Sequence, residues 1–422
     1  MSSTTRNAVI VGQGYVGLPV AMRAVEAGYD VVGIDVDPRR IDSLRRGDSY
    51  VDDIPSEVLK AAMSSGHYTA TDDYDAAQGF DVAVITVPTP LSEGIPDLRY
   101  IEDSARALST RLTRGATVIL ESTTYPGTTE ELLVPLLEEG SGLTAGTDFH
   151  VGYSPERIDP GNKTWGFTNT PKVVSGIDPA SLERVQGFYD DLVERTVPVS
   201  GTKEAELTKL LENTFRHVNI ALVNELAIFG HQLGVDVWES IEAASSKPFG
   251  FMKFTPGPGV GGHCLPVDPS YLSWQVRRKL GQSFRFVELA NDINDHMPDY
   301  VAQRLMVLLN RAGKALNGSR VVLVGLSYKR NTGDIRESPS LRLIEVLRDL
   351  GADLVGIDDR VEDHRWPAGV ERASYTTETL DAADAIVLVT DHEEFDLSLL
   401  AAASAPVLDT KNRVSGPTVE RL

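Results

Sequence analysis

Residues 8–35 read AVIVGQGYVGLPVAMRAVEAGYDVVGID. An apolar run leads straight into Gly12-Gln-Gly14-Tyr15-Val16-Gly17, then a stretch of helical character, a second apolar run and Asp35. Three glycines at this spacing between a strand and a helix allow a tight turn, close backbone approach to a pyrophosphate and close helix–strand packing. The helix N-terminus adds N–H donors and a partial positive charge. Asp35 ends the second strand near the roughly 20-residue offset expected of a carboxylate that binds ribose hydroxyls. The stretch predicts a doubly wound α/β domain of Rossmann type that binds a dinucleotide through Gly12, Gly14, Tyr15, Val16, Gly17 and Asp35. Asp35 would repel a 2′-phosphate, which favours NAD over NADP. Arg39 and Arg40 stand close by and work against that preference, because arginines at this place can accept the phosphate.

Outward from this motif, DVAVITVPTP (81–90) and ATVILESTT (116–124) are short apolar runs ending in polar residues, as buried parallel strands do. Ligands of such sheets collect at the carboxyl ends of the strands, so Pro88, Thr89, Ser122 and Thr123 are placed where a cofactor would lie. The grammar then recurs. Residues 320–358, RVVLVGLSYKRNTGDIRESPSLRLIEVLRDLGADLVGID, repeat strand, glycine turn, helix, strand and aspartate with a longer turn. AIVLVT (385–390) and APVLDT (405–410) supply further strands. In the second turn the close-packed glycines give way to Lys329, Arg330 and, further on, Arg336. That turn suits other phosphates, gripped by charge, better than a second dinucleotide. Between the repeats, Thr202 to Phe229 contains no Pro or Gly and carries Leu207, Leu210, Leu211, Phe215, Val218 and Leu222 at helical spacing. The expectation is two Rossmann-like domains joined by a long helix and a small all-α middle domain, with boundaries at 1–200, 201–300 and 301–422.

The chain has 422 residues, 41% of them hydrophobic and 24% charged, which is ordinary for a globular protein of two or three domains. Forty basic against 61 acidic residues give a net charge of −21, a field that opposes nucleic acid and anionic lipid surfaces. No apolar run approaches the roughly 18–20 residues that span a bilayer. The N-terminal Met-Ser-Ser-Thr-Thr-Arg shows neither signal peptide nor anchor, so a cytoplasmic location is expected.

The single cysteine, Cys264, closes the segment TPGPGVGGHC and is followed by LPVDP. A run so rich in Gly and Pro reads as a rigid loop that brings backbone close to a ligand, with the thiol at its end. Asp268 lies four residues on. A thiolate beside a nicotinamide suggests a definite chemistry. An alcohol gives up hydride, the thiolate adds to the resulting aldehyde, a second hydride leaves a thioester, and water releases the acid. The oxyanion needs electrostatic partners, and Lys209 and Asn213, spaced i, i+4 on the long helix, supply a cation and an amide.

These motifs together resemble the UDP-glucose/GDP-mannose dehydrogenase family of nucleotide-sugar dehydrogenases. The resemblance is carried in order by GQGYVGLP, VPTP, ESTTYPGTT, YSPERIDPG, AELTKLLENTF, PGPGVGGHCLPVDP and GLSYKRNTGDIRESPS, and covers nearly the whole chain. It implies an NAD-binding N-terminal domain, a helical dimerisation region, a UDP-sugar-binding C-terminal domain, NAD as cofactor and no metal. It implies Cys264 as nucleophile, with Lys209, Asn213 and Asp268 beside it, Glu156 in thioester hydrolysis and Thr123 near the reacting centre. Arg40 and Arg336 match cofactor-contacting arginines, and Lys329 a substrate-contacting lysine; Arg157, Phe254 and Gly261 fall with the substrate-binding set. His263 and the Pro-Val-Asp-Pro after the cysteine look like the branch acting on UDP-N-acetylhexosamines, whereas Asn331-Thr-Gly-Asp-Ile-Arg-Glu-Ser is closer to UDP-glucose members. A two-electron hydroxyacid-type dehydrogenase would need neither Cys264 nor a second nucleotide domain. A non-catalytic nucleotide-sugar sensor would not need Cys264, Lys209, Asn213 and Glu156 together.

Overall fold

The computed structural model describes residues 6–51, 53–92, 95–158, 162, 164–262 and 265–422. The chain divides into two compact units, one formed by residues up to Glu212 with 278–280, the other by 213–277 and 281–422. The strands are β1 (Arg6–Val11), β2 (Tyr29–Ile34), β3 (Tyr68–Thr71), β4 (Val82–Ile85), β5 (Leu91–Ser92), β6 (Ile95–Pro96), β7 (Thr117–Leu120), β8 (His150–Tyr153), β9 (Lys172–Gly176), β10 (Thr196–Pro198), β11 (Arg320–Val324), β12 (Asp353–Ile357), β13 (Glu371–Arg372), β14 (Ala385–Leu388), β15 (Val407–Asp409) and β16 (Val419–Arg421).

In the first unit eight strands form one sheet in the order β10-β9-β8-β7-β4-β1-β2-β3. From β3 through β8 every neighbouring pair is parallel, and the order reverses direction between β1 and β4. That reversal is the switch point at which such sheets open a crevice at their carboxyl ends. Strands β9 and β10 extend the sheet as a pair running antiparallel to β8. The inner strands are apolar on both faces because helices cover both: Ala8 and Ile10 of β1 join one core with Leu18, Val20 and Met22 of the helix Gly17–Glu26, and Val9 and Val11 are equally buried.

The second unit carries a six-stranded, wholly parallel sheet, β13-β12-β11-β14-β15-β16, with its switch point between β11 and β14. Strand alternation divides its core in two. Val321 and Leu323 of β11 face Met297, Val301, Leu305 and Leu309 of the helix Arg285–Arg311, while Val322 and Val324 face Leu380 and Leu400 on the opposite side. The helix Arg285–Arg311 is therefore built onto this sheet. Both expected Rossmann-like sheets are present, and the runs singled out at 81–90, 116–124, 385–390 and 405–410 each contain a strand.

The long helix spans Thr202–Leu233, beginning where the sequence predicts and running four residues past Phe229. Its apolar positions divide differently from expectation: Leu210 is fully buried, whereas Leu207, Leu211, Phe215 and Leu222 are exposed, as are Leu226, Phe229 and Leu233. Among the described residues no helix is long and apolar enough to cross a membrane.

Candidate active site

The glycine turn follows β1 directly. Gly12 sits at φ +92°, a backbone that L side chains rarely adopt, and a Cβ there would lie 2.7 Å from the Thr86 carbonyl oxygen. At Gly17 a Cβ would fall 1.8 Å from the carbonyl oxygen of Gly12, so the helix can start this close to the strand only with glycine. Gly14 is different. A Cβ there would meet nothing nearer than Arg40 Nη1 at 3.8 Å, which leaves open space above the turn of the kind a pyrophosphate fills. The following helix has no side-chain cap and no acidic residue in its first turn, so its positive end is not neutralised by the protein. Tyr15 is half exposed beside it. Gln13, between the first two glycines, is wholly buried and anchors the turn: its amide donates to Ile10 O at 2.8 Å and accepts from Tyr68 Oη at 2.8 Å.

Asp35 is buried at the end of β2, where its carboxylate accepts from the backbone N–H of Gln13 at 2.8 Å and of Asp37 at 2.9 Å. The two nearby arginines are both committed to aspartates. Arg40 Nη1 lies 3.2 Å from Asp35, and Arg39 bonds Asp37 through Nε at 3.1 Å and Nη2 at 2.9 Å. The Arg39 guanidinium hydrogen-bonded to it holds the Asp37 carboxyl at about 2, despite the opposing effect of desolvation. With both arginines engaged by aspartates, the pull toward a 2′-phosphate that the sequence leaves beside Asp35 is weakened. The open turn, the unneutralised helix end and the buried carboxylate fit a dinucleotide.

Beyond β4 and β7 the hydroxyls are spent on the protein itself. Thr89 Oγ1 donates to Thr123 O at 2.9 Å and Ser122 Oγ to Val87 O at 2.8 Å, which stitches the ends of β4 and β7 together. Pro88 is exposed there and Thr123 partly buried.

The same unit holds a buried charge cluster of which the sequence singles out only Glu156 and Arg157. Glu121, directly after β7, is fully buried, bonds Lys172 and accepts from Tyr189 Oη at 2.7 Å. Lys172, the first residue of β9, also reaches Glu156 Oε2 at 3.1 Å. The other oxygen of Glu156 accepts from the backbone N–H of Arg157 and of Ile158, each at 2.6 Å. Arg157 is pinned in turn by Glu212 at 2.6 Å and by Pro171 O at 2.6 Å. Burial pushes the Glu121 carboxyl up to about 7, against the pull of Lys172. Burial acts on Glu156 in the same sense, but Lys172 and the backbone donors outweigh it and its carboxyl falls below the usual range. Burial likewise opposes the Lys172 ammonium, yet the two carboxylates raise it. The sequence signal was present, as acids or bases bounding the apolar runs VIL and VVS, but charge at a strand end is common and does not by itself declare a partner.

On the long helix Lys209 and Asn213 are both buried, one turn apart. In the second unit Asn213 donates its amide to Asp268, also buried. The helix bearing Asp268 starts at that residue, after a turn over 265–267. Cys264 itself lies outside the described residues, as does His263. The preceding loop owes its glycines to the chain's own packing: a Cβ at Gly261 would lie 2.7 Å from both Glu337 O and Tyr328 Cβ, and one at Gly262 would lie 2.7 Å from the Tyr328 ring. Gly262 N–H also donates to Arg336 O at 3.2 Å. The Gly-Pro loop and the basic loop of the second repeat are thus held backbone to backbone. Phe254 packs edge-to-face with Phe215, ring centres 5.8 Å apart. In the basic loop Lys329 is partly buried, and the exposed Arg336 guanidinium is held by Asp334 at 2.6–3.0 Å. A further lysine escaped the sequence reading. Lys411, after β15, has its ammonium 3.7 Å from where a Cβ on Gly257 would stand, and burial pulls it below its ordinary value against Asp391 and Asp409.

The second glycine turn has no dinucleotide chemistry left. Asp358, the counterpart of Asp35, is wholly buried and accepts from Leu326 N–H at 2.8 Å, Ser327 N–H at 3.1 Å and His392 Nε2 at 3.1 Å. Its oxygens are consumed inside the protein, and no ribose can reach them.

Three family models match in succession: the NAD binding domain of the UDP-glucose/GDP-mannose dehydrogenase family over residues 6–193, its central domain over 203–296 and its UDP binding domain over 322–416. The chain belongs to the UDP-glucose/GDP-mannose dehydrogenase family. The glycine turn and Asp35 lie in this family's NAD-binding domain, so the cofactor is NAD, and Lys329 and Lys411 lie in its UDP-binding domain. The chain is 37% identical over 391 residues to the UDP-N-acetyl-D-mannosamine dehydrogenase of Pyrococcus horikoshii, covering 92% of this chain and 89% of that one. It is 37% identical over 396 residues to the UDP-N-acetyl-D-glucosamine 6-dehydrogenase of Pseudomonas aeruginosa, covering 92% and 90%. The solved structure of the Pyrococcus horikoshii UDP-D-ManNAc dehydrogenase superposes with a TM-score of 0.89 at 34% identity, covering 98% of each chain.

Proposed function

We propose that this family member oxidises the C6 primary alcohol of a UDP-N-acetylhexosamine, UDP-N-acetylglucosamine or a close epimer, to the uronic acid in two NAD-dependent steps. The observation that carries the choice of sugar is that relatives at 37% identity over 92% of the chain are named for N-acetylated UDP-sugars. NAD, when bound, supplies the hydride acceptor for each two-electron oxidation. Lys209 and Asn213 handle the alcohol proton and stabilise the oxyanion, and Asp268 fixes the Asn213 amide by accepting its N–H. The Cys264 thiolate adds to the C6 aldehyde to give a thiohemiacetal, and loss of a second hydride leaves a thioester. Glu156, ionised, takes a proton from the attacking water; the C–S bond breaks and the acid leaves. Lys329 offers a cation to the diphosphate, and Lys411, short of hydration beside Gly257, offers a second. Arg157, Phe254 and Gly261 complete the substrate set, while Thr123, Pro88, Thr89, Ser122, Arg40 and Arg336 serve the cofactor side. The enzyme works as a homodimer in the cytoplasm, its second copy covering the exposed Phe215, Leu222, Leu226, Phe229 and Leu233 of the long helix.

The test is NADH formed per sugar consumed across a panel of UDP- and GDP-sugars. Two NADH per UDP-N-acetylhexosamine, an acidic product, and loss of turnover in Cys264→Ala with substrate binding kept are expected. One NADH per sugar, or unchanged turnover in Cys264→Ala, refutes the thioester route; preference for UDP-glucose refutes the choice of sugar.

A further inference from the structure

The charge cluster of the first unit contains more than the hydrolytic reaction requires. One carboxylate suffices to activate water, yet two share a single buried ammonium. The sheet explains how they meet. Gly152 pairs with Gly176 and Tyr153 with Ser175 in the antiparallel β8–β9 ladder, so each step forward along β8 is one step back along β9. Three residues beyond the ladder on each strand stand Glu156 and Lys172, whose side chains meet at 3.1 Å. Leu120 pairs with Tyr153 in the parallel β7–β8 ladder, which puts Glu121 beside the same strand end. Antiparallel addition of β9 is thus what delivers a lysine to the carboxyl end of an otherwise parallel sheet.

Among the described residues, the charged and titratable groups facing Glu156 are Lys172 from β9, Glu121 after β7, Tyr189 from the helix Pro179–Leu192, and Arg157 with its partner Glu212 from the long helix. Lys172 also lies over the rings of Tyr189 and Phe167, 5.2 and 5.5 Å from their centres, so its ammonium is enclosed by two carboxylates and two aromatic faces.

We propose that Lys172 and Glu121 are positioning residues for hydrolysis: Lys172 holds Glu156 ionised and aimed, and Glu121, backed by Tyr189, anchors the Lys172 ammonium where Glu156 can reach it. This rests on the reading of Glu156 as the base toward the thioester. When Glu156 takes the proton of the attacking water, its bond to Lys172 weakens and the ammonium turns wholly to Glu121. The proton then passes to solvent and the resting arrangement returns. Of the two acids, Glu121 is the one disposed to be neutral near pH 7, because it is completely buried while Glu156 also draws on two backbone N–H donors.

The experiment uses full-length protein with NAD and whichever UDP-N-acetylhexosamine turns over best. Radiolabelled sugar held on the protein is followed by acid quench after a single turnover, from pH 3.5 to 9.5, so that discharge of the thioester is read directly. Lys172→Met is expected to move the acid limb of the discharge rate up by a unit or more, so that on the limb discharge is at least tenfold slower than in wild type and recovers at higher pH. Glu121→Leu removes the anchor of the ammonium and is expected to move the limb up by less, whereas Glu121→Gln, neutral on that limb as Glu121 itself is, is expected to leave it in place. A graded displacement is the signature, since a merely structural role would not give it. Should Lys172→Met fail to fold, the contrast between Glu121→Leu and the near-isosteric Glu121→Gln decides alone. An unmoved limb in Lys172→Met, or equal displacement in Glu121→Leu and Glu121→Gln, overturns the proposal. Glu156→Gln separates the two levels. If it discharges the thioester like wild type, the reading of Glu156 is wrong and this inference falls with it; if it traps the thioester while the other variants show no shift, only this inference is lost.

Discussion

Glu206→Gln puts a number on how the long helix is fastened to the first unit. Glu206 is completely buried near the start of that helix, and its two oxygens take three bonds: one from Gly127 N–H, and from Thr129 both N–H at 2.9 Å and Oγ1 at 2.7 Å. Burial nevertheless pushes its carboxyl from 4.5 up to about 7, the three donors notwithstanding. Because the folded-state value is raised, the associated stability is fully present below the unfolded value and is lost as pH climbs through 7. Between pH 5.5 and 8 that loss amounts to about 2 kcal/mol. Glutamine does not titrate. It keeps one acceptor for Thr129 and turns an amide N–H toward Gly127 N–H, an unsatisfied buried donor that costs about 1–3 kcal/mol at every pH. The variant should therefore be the less stable protein at pH 5.5 and should come within about 1 kcal/mol of wild type at pH 8. Urea unfolding of both proteins at the two pH values, followed by far-ultraviolet circular dichroism, measures the difference. Glu121 titrates in both proteins and cancels. A stability difference that stays constant between the two pH values, or widens in favour of wild type as pH rises, would refute the reasoning.

Replacing the two aspartates that hold the arginines, Asp35→Ser with Asp37→Ser, should raise the kcat/KM ratio of NADP to NAD at least tenfold, about 1.4 kcal/mol, since Arg39 and Arg40 are then released toward a 2′-phosphate. Serine is chosen at 37 because Asp37 caps the helix Pro38–Arg45 by accepting from Arg39 N–H; an unchanged ratio would show that the arginines do not reach the cofactor. On the long helix, Leu222→Glu with Phe229→Glu should convert a dimer to monomers by light scattering, because both side chains are about half exposed on an apolar stripe. A dimer that survives both charges would place the interface elsewhere.

Local rules sufficed where the chain's behaviour is local. Two strand–turn–helix–strand repeats announced two parallel sheets, since β-alternation, glycine turns and helix spacing are properties of consecutive residues. The Gly12–Gly17 turn and Asp35 were legible for the same reason. What fixes Asp268 was not legible from local spacing, because its partner Asn213 lies 55 residues away in sequence. The sequence reads the glycines at 261 and 262 as bringing backbone close to a ligand, whereas what packs against them in the structure is the basic loop of the second repeat.

By itself, then, the sequence determined the fold class, the dinucleotide turn and the residues able to carry the chemistry. Only the tertiary structure decided their electrostatics. It pinned Arg39 and Arg40, consumed Asp358, and gathered Glu121, Lys172, Glu156 and Tyr189 from four elements into one cluster. The physical reason is that the charge a side chain bears depends on desolvation and on partners brought from far along the chain, and neither is encoded in the spacing of neighbouring residues.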